Sequence, residues 1–331
     1  MKSRRDLFPY VLISPALFVT IIIIFIPIIQ TTVMSLFNYV LSKPRDTRFI
    51  FLGNYIAALR DEVFWISFGH TLIWILGTIS LQLALGFITA LYLNREFRWR
   101  GIARAIILIP WVTPSVITAL MWRWMYDGNN GLINDLLVRI GLLKSYFPWL
   151  ANGSTALGAI MLALMWQGFP FFAIMILAGL QAIPKSLYEA AEVDGATTMQ
   201  KFLRITLPML VPILFTAILL RIIWVANSLD IIFVMTGGGP GYSTHTLPLY
   251  AFVRAYKALD FGYSSAIAIY LTLLLAAVVE KPADPPPACS ADSALRSRAL
   301  HVDVHLFHNG GQGPAFPALP ILPGETHDGK L

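Results

Sequence analysis

The chain has 331 residues, 57% of them hydrophobic and only 13% charged, with a formal net charge of +6 and a single cysteine, Cys289. A soluble fold carries roughly a quarter charged residues, so this chain lacks the polar groups to cover a globular surface, and lipid is its natural solvent. One cysteine excludes an internal disulfide framework and any multi-cysteine metal site.

A helix needs about 20 mainly apolar residues to cross the hydrocarbon core. Stretches of that kind run over 7–30, 68–93, 102–124, 157–180, 205–236 and 263–279, the last barely long enough. They predict an all-α integral membrane protein of six spans. The segment behind Lys2, Arg4 and Arg5 is too long for a signal-peptide core and has no small-residue cleavage site, so it reads as an uncleaved first span. Prolines fall inside several spans: Pro15, Pro27, Pro110, Pro114, Pro170, Pro208 and Pro212. In a soluble helix each would cost about 3 kcal/mol. In a bundle, neighbours can satisfy the freed carbonyls, so such prolines mark either bends and moving joints or static kinks.

Basic residues near the span ends set the orientation. Lys2, Arg4 and Arg5, then Arg95, Arg98, Arg100 and Arg104, then Lys185, Lys201 and Arg204 fall on one side, which is predicted to be cytoplasmic, N-terminus included. The opposite loops carry Lys43, Arg45, Arg48, Arg60, Arg139, Lys144, Arg254 and Lys257, so the bias is moderate. Positive charge is thus placed for topology and makes no case for a nucleic-acid partner.

The polar stretch 183–207 lies between the fourth and fifth spans. Ser186 followed by Glu189 fits a capping box that starts a short helix over 187–193, and Gly195 can supply the left-handed turn that ends it. Thr197 followed by Gln200 fits a second box, starting another helix through Arg204. Ala190 and Ala191 would allow a partner to approach closely. The alternative is a self-contained loop packing on its own bundle.

Polar groups inside spans are expensive and are functional candidates by default. Span five offers Arg221, Asn227, Ser228 and Asp230 with Trp224 nearby; span four offers Gln167 and span two Gln82. Arg221, Trp224 and Ser228 recur at intervals that share a helix face. An indole to stack on a sugar ring, with polar groups for hydroxyls, would suit a carbohydrate path; alternatively Arg221 and Asp230 make interhelical polar contacts. The glycines at 237, 238, 239 and 241 lack the following lysine and Ser/Thr of a phosphate-binding loop and fall on the outer side, so they read as a tight external turn. No ATPase site, catalytic cluster or metal site is expected in this chain.

After Val279 the composition changes abruptly to a proline-rich tail, 280–331, holding the cysteine and His301, His305, His308 and His327. Its histidine spacing matches no ordinary ligand pattern. The membrane part is therefore expected to be 1–279, and the tail to be disordered or the product of a reading frame shifted near Val279. Translating the other two frames of the gene tests the latter.

Glu189, Ala190, Ala191, Asp194, Gly195 and Ala196, followed by Phe202, Ile205, Leu207, Pro208 and Pro212, resemble the EAA motif of permease subunits in ATP-binding-cassette importers. The run from Thr236 through Thr244, TGGGPGYST, with Gly262, Tyr263 and Ala266, resembles the external loop and following segment of sugar-type permeases, similar to the maltose and glycerol-3-phosphate group. Phe51, Gly53, Asn54 and Tyr55 with Phe64 and Trp65 look like the first external loop of that family, and LFPYVLISPALF like its N-terminus. The resemblance spans about residues 6–279 and departs at the C-terminus, where the family completes span six and ends in a short basic tail.

The resemblance implies a type I ABC importer bundle in the inner membrane. Glu189, Ala190, Ala191, Asp194 and Gly195 would contact an ATPase subunit. It also implies a second permease subunit, two cytoplasmic ATPase subunits that bind the ATP, and an extracytoplasmic solute-binding protein delivering a sugar or related solute. The rival class is a secondary transporter not coupled to ATP, which favours internal repeats and intramembrane carboxylates; no clear repeat is visible.

Overall fold

The computed structural model describes residues 8–279. The expectations attached to the tail and to the first basic residues lie outside that range.

The chain opens with α1 (Phe8–Ser35), a small antiparallel hairpin of β1 (Phe37–Asn38) and β2 (Arg48–Phe49), and α2 (Gly53–Leu59). Then come α3 (Glu62–Asn94), α4 (Arg100–Val112), α5 (Ser115–Met125), α6 (Leu132–Arg139) and α7 (Ala156–Ala182). Two short helices, α8 (Lys185–Val193) and α9 (Thr198–Lys201), lead through a π-helical turn, Phe202–Thr206, into α10 (Leu207–Ala226). Next come α11 (Asp230–Met235) and α12 (Leu247–Tyr256), before α13 (Phe261–Val279).

Among the described residues five helices are long and apolar enough to cross a membrane, six if α4 and α5 count as one bent span. The centre of the bundle is the α3–α7 pair, with α10 against both. Gly86 lets α3 and α7 approach, because a Cβ there would run into Phe172 and the backbone of Phe169. Trp74 closes the α3–α10 contact by donating its indole N–H to the Val225 carbonyl at 2.9 Å. Small residues at such crossings do for membrane helices what apolar burial does in water, since lipid tails match leucine in polarity. Consistent with that, α1 exposes its apolar residues along its length and meets the rest of the bundle mainly at α13.

Two spans are not single continuous helices. The third breaks between Val112 and Ser115, and its halves meet at 92°. Pro114 has no N–H to continue the ladder and pushes Thr113 to an extended conformation. Gln167 on α7 donates to the freed Thr113 carbonyl at 2.8 Å. The fifth span ends at Ala226, not at residue 236: Asn227 terminates α10, and α11 restarts at Asp230.

Polar clasps tie α1, the hairpin, α2, α3, α12 and α13 together. Asn54, buried, donates to the Ser35 and Phe37 carbonyls at 2.8 Å each, and the Tyr55 hydroxyl meets Ser35 Oγ at 2.7 Å. Asp61 caps α3 through the Val63 N–H and accepts the hydroxyls of Tyr250 (2.5 Å) and Tyr263 (2.6 Å). Burial alone would raise the Asp61 pKa, but those hydrogen bonds and the Arg254 charge outweigh it and hold the carboxyl below its usual range. Burial and the bond to Asp61 push Tyr250 up to about 12. The glycine run forms a turn with positive φ at Gly237, Gly238 and Gly241, clamped by the Thr236–Thr244 hydroxyl pair at 2.8 Å.

Candidate functional site

Two arrangements could do work: a loop at one end of the bundle and a polar cavity within it.

The loop comprises α8, the turn at Gly195 and α9. Helix α8 starts at Lys185 because Pro184, at φ −60° and ψ 131°, occupies the N-cap position. That leaves Ser186 inside the first turn, and the expected Ser186–Glu189 capping box does not form; Pro184 starts the helix two residues before Leu187. The helix ends as expected at Gly195, whose φ is +75°. The Ala196 N–H reaches back to the Ala191 carbonyl at 2.8 Å, closing the turn. The second box is present, with Thr197 Oγ1 accepting from Gln200 N and Gln200 Oε1 from Thr197 N.

From there the helix does not stop at Arg204 but passes through the π turn into α10. Pro208 lacks an N–H and would crowd the Arg204 carbonyl, and the wider turn, with Leu207 N donating to Phe202 O, relieves this.

The loop is internally rigid and outwardly unfinished. Lys201 pairs with Glu192 at 2.7 Å, and the Tyr188 hydroxyl meets Thr206 Oγ1 at 2.8 Å. Glu189, Ala190, Asp194 and Gly195 are exposed, Ala191 is half-buried, and no residue of α8 is buried. Apolar Val193 (89% exposed) and Met199 (64%) stand in solvent. The basic turn lies at this same end: Arg100 Nε donates to Leu93 O at 2.8 Å, and with its amide turned to offer oxygen, Gln181 receives Arg100 and Arg104 at 2.7 Å.

The cavity, of about 320 Å3, lies where the two broken spans meet α7, and its walls include Trp111, Ser115, Gln167, Arg221, Trp224 and Asp230. Ser228 is also at its wall, whereas Asn227 is not: its side chain turns back to the Ile223 carbonyl at 2.8 Å. Arg221 is 6% exposed. Its Nε donates to Gln82 Oε1 at 2.9 Å, and Gln82 Nε2 donates to the Leu164 carbonyl at 2.7 Å. The guanidinium lies near the Phe171 and Trp224 rings, at 5.9 and 5.8 Å from their centroids.

Room for this pair exists because residue 168 is glycine; a Cβ there would strike both the Gln82 amide and the Arg221 guanidinium. In the same cavity the Ser115 hydroxyl donates to Asp230, joining the first residues of α5 and α11. These two short helices then run alongside each other, and Arg123 donates to the Val234 carbonyl at 3.1 Å. Such an arrangement can offer donors, acceptors and an aromatic face to a polyhydroxylated solute.

Sequence reasoning placed Arg221, Trp224, Ser228 and Asp230 here but missed Trp111, Ser115 and Gly168. The only signal for them was the neighbouring Pro114 and the absence of a side chain at 168.

Residues 82–279 match the family described as binding-protein-dependent transport system inner membrane component. The chain is 41% identical over 275 residues to the trehalose/maltose transport system permease protein MalF of Thermococcus litoralis, covering 83% of this chain and 92% of that protein. It is 38% identical to the sulfoquinovosyl glycerol transport system permease protein SmoG of Agrobacterium fabrum, covering 80% and 85%. Among solved structures, a bacterial ABC transporter importing the acidic polysaccharide alginate superposes with a TM-score of 0.72 at 21% identity, over 83% of this chain and 93% of that one, so the two share a fold. The chain belongs to the family of inner membrane components of binding-protein-dependent transport systems, and is a multi-pass permease subunit of an importer.

Proposed function

We propose that this permease carries a sugar or related solute, such as an oligosaccharide or a glycerol phosphate, through the cavity at Arg221, Trp224, Ser228 and Asp230, driven by ATP hydrolysed on partner subunits. Asn227, which turns away from the cavity, contributes as the cap of α10. The N-terminus lies in the cytoplasm, and residues 1–279 form the permease domain. The assembly holds a second permease, identical or different, two cytoplasmic ATPase subunits and an extracytoplasmic solute-binding protein, all within the lipid of the cell membrane. The chain itself holds no ATP or other cofactor and catalyses no reaction. A solved alginate importer, of the same fold, was crystallised with a pentasaccharide-bound periplasmic protein.

The observation that carries the reading is the loop at α8 and α9: capped and cross-linked within itself, yet exposing Glu189, Ala190, Asp194 and Gly195 with bare apolar neighbours. A loop rigid in itself and open outward transmits force; one packed on its own bundle would bury that face. Closure of the ATPase pair would push this unit, and the continuous path from α9 through the π turn into α10 would carry the displacement to Arg221.

The test is co-purification of the chain with the products of its neighbouring genes, comparing wild type with Gly195→Asp. An ATPase subunit retained by wild type and lost in the variant supports the reading. A transporter driven by an ion gradient would instead bind no ATPase and keep its uptake in the variant.

A further inference from the structure

We infer that Arg221 selects solutes carrying an anionic substituent, a carboxylate or sulfonate on the sugar, over neutral ones; this rests on the importer reading above.

The inference follows from how charge is settled around the cavity. Arg221 is more than nine-tenths buried within a span, where an uncompensated cation is costly. Its Nε is engaged by Gln82, a neutral acceptor whose own orientation is fixed by the Leu164 carbonyl. Among the described residues, its two terminal amino groups donate no hydrogen bond, and no carboxylate lies within ion-pair distance. The Phe171 and Trp224 rings offset part of the charge but accept no strong hydrogen bond.

Asp230, the acidic group of the same cavity, is already provided for. It accepts the Ser115 hydroxyl at the first turn of α5, an eleven-residue helix whose N-terminus favours negative charge. The same cavity therefore holds a carboxylate that already has a partner and a guanidinium whose fork is empty.

A guanidinium fork matches two oxygens of a carboxylate or sulfonate, and such paired, charge-assisted bonds are about twice as strong as neutral ones. A neutral hydroxyl offers one oxygen and no charge, so it matches the fork less well. Trp224, against the same guanidinium, supplies the face on which the sugar ring would lie, and the unpaired oxygen of Asp230 takes hydroxyls at its far end. Gly168 is part of this device, because any side chain there would drive the guanidinium from its seat.

The test uses the complete importer, permeases with ATPase subunits, in detergent without the binding protein, so that only the membrane site is read. Binding of radiolabelled glucuronate and of glucose is measured by equilibrium dialysis for wild type, Arg221→Gln and Arg221→Lys. Wild type is expected to favour glucuronate at least about tenfold, a difference of 1.4 kcal/mol. Arg221→Gln should abolish the preference, and Arg221→Lys, which keeps the charge but not the fork, should keep a smaller one. Equal binding of the two sugars by wild type overturns the inference, as does a preference surviving in Arg221→Gln. Binding of neither sugar, with the ATPase subunits still co-purifying, removes the inference and leaves the importer reading standing. Loss of the ATPase subunits from wild type removes the importer reading itself.

Discussion

The α8–α9 loop and the cavity are built by opposite means. The loop is assembled from neighbours in sequence: Thr197 with Gln200, Ala191 with Ala196, Glu192 with Lys201. The cavity is assembled from partners far apart: Gln82 with Arg221 is a separation of 139 residues, and Ser115 with Asp230 one of 115. Local bonds make a stiff unit that leaves its outer face free for another protein. Distant bonds tie helices together, so a fault in the cavity disturbs the bundle as well as the solute. Damage to the loop should therefore uncouple without unfolding, and damage to the cavity should do both.

The strongest attempt to break that contrast is Gly168→Leu. The new side chain meets the Gln82 amide and the Arg221 guanidinium head on, and overpacking of this kind costs about 3 kcal/mol. Thermal melting of the detergent-solubilised permease should fall by several degrees, and uptake in proteoliposomes should vanish. A variant that melts like wild type would mean the Gln82–Arg221 pair carries no structural weight.

Next in size is Gln167→Leu. It leaves the Thr113 carbonyl without its partner at the broken span, a loss of about 1 kcal/mol for a part-buried acceptor, at the low end of the cost of an unmet buried one. Gln167→Glu, which also lacks the donor, should behave as badly or worse. If Gln167→Leu melts normally while transport falls, the residue acts on solute alone, and cavity and bundle are separable at this position.

The Asp61 clasp supplies a pH test. The folded pKa of Asp61 lies below its unfolded value of about 3.9. A depressed carboxyl contributes stability that is present above the unfolded value and lost as pH falls through the folded one. Wild type should therefore out-melt Asp61→Asn at pH 6–7, and the gap should close below about pH 4. A gap constant with pH would remove the charged form of Asp61 from the clasp.

How much was legible follows the same division. Caps and turns are local, so Thr197–Gln200 and the left-handed turn at Gly195 could be read directly, and hydropathy located the spans because lipid imposes length and composition. The Ser186 box misled because Pro184 starts the helix earlier, a competition between two local signals. Span five was read as running to residue 236 because the stretch stays mostly apolar past Asn227, although Asn227 and Asp230 are the residues that end one helix and begin the next. The 92° bend was foreshadowed by Pro110 and Pro114, but its angle depends on the donor that Gln167 brings from another helix. Nothing along one chain shows that Gly168 is vacant for the sake of Arg221.

The smallest expected effect on stability is the most telling about the loop. Gly195 has a φ of +75° with nothing within 4 Å of where a Cβ would lie, so space is no obstacle and only backbone strain opposes a side chain. Alanine in that conformation costs about 1–2 kcal/mol, while asparagine visits it readily. Neither change should move the melting temperature of the bundle, because α8 and α9 bury nothing in its core. Yet Gly195→Ala should lower solute-stimulated ATP hydrolysis several-fold, and Gly195→Asn should restore most of it. Equal loss in both would point to crowding by the partner at this position, not strain; no loss in either would mean that the turn between α8 and α9 need not be held in one geometry for force to pass, and the stiffness attributed to local bonds would lose its purpose.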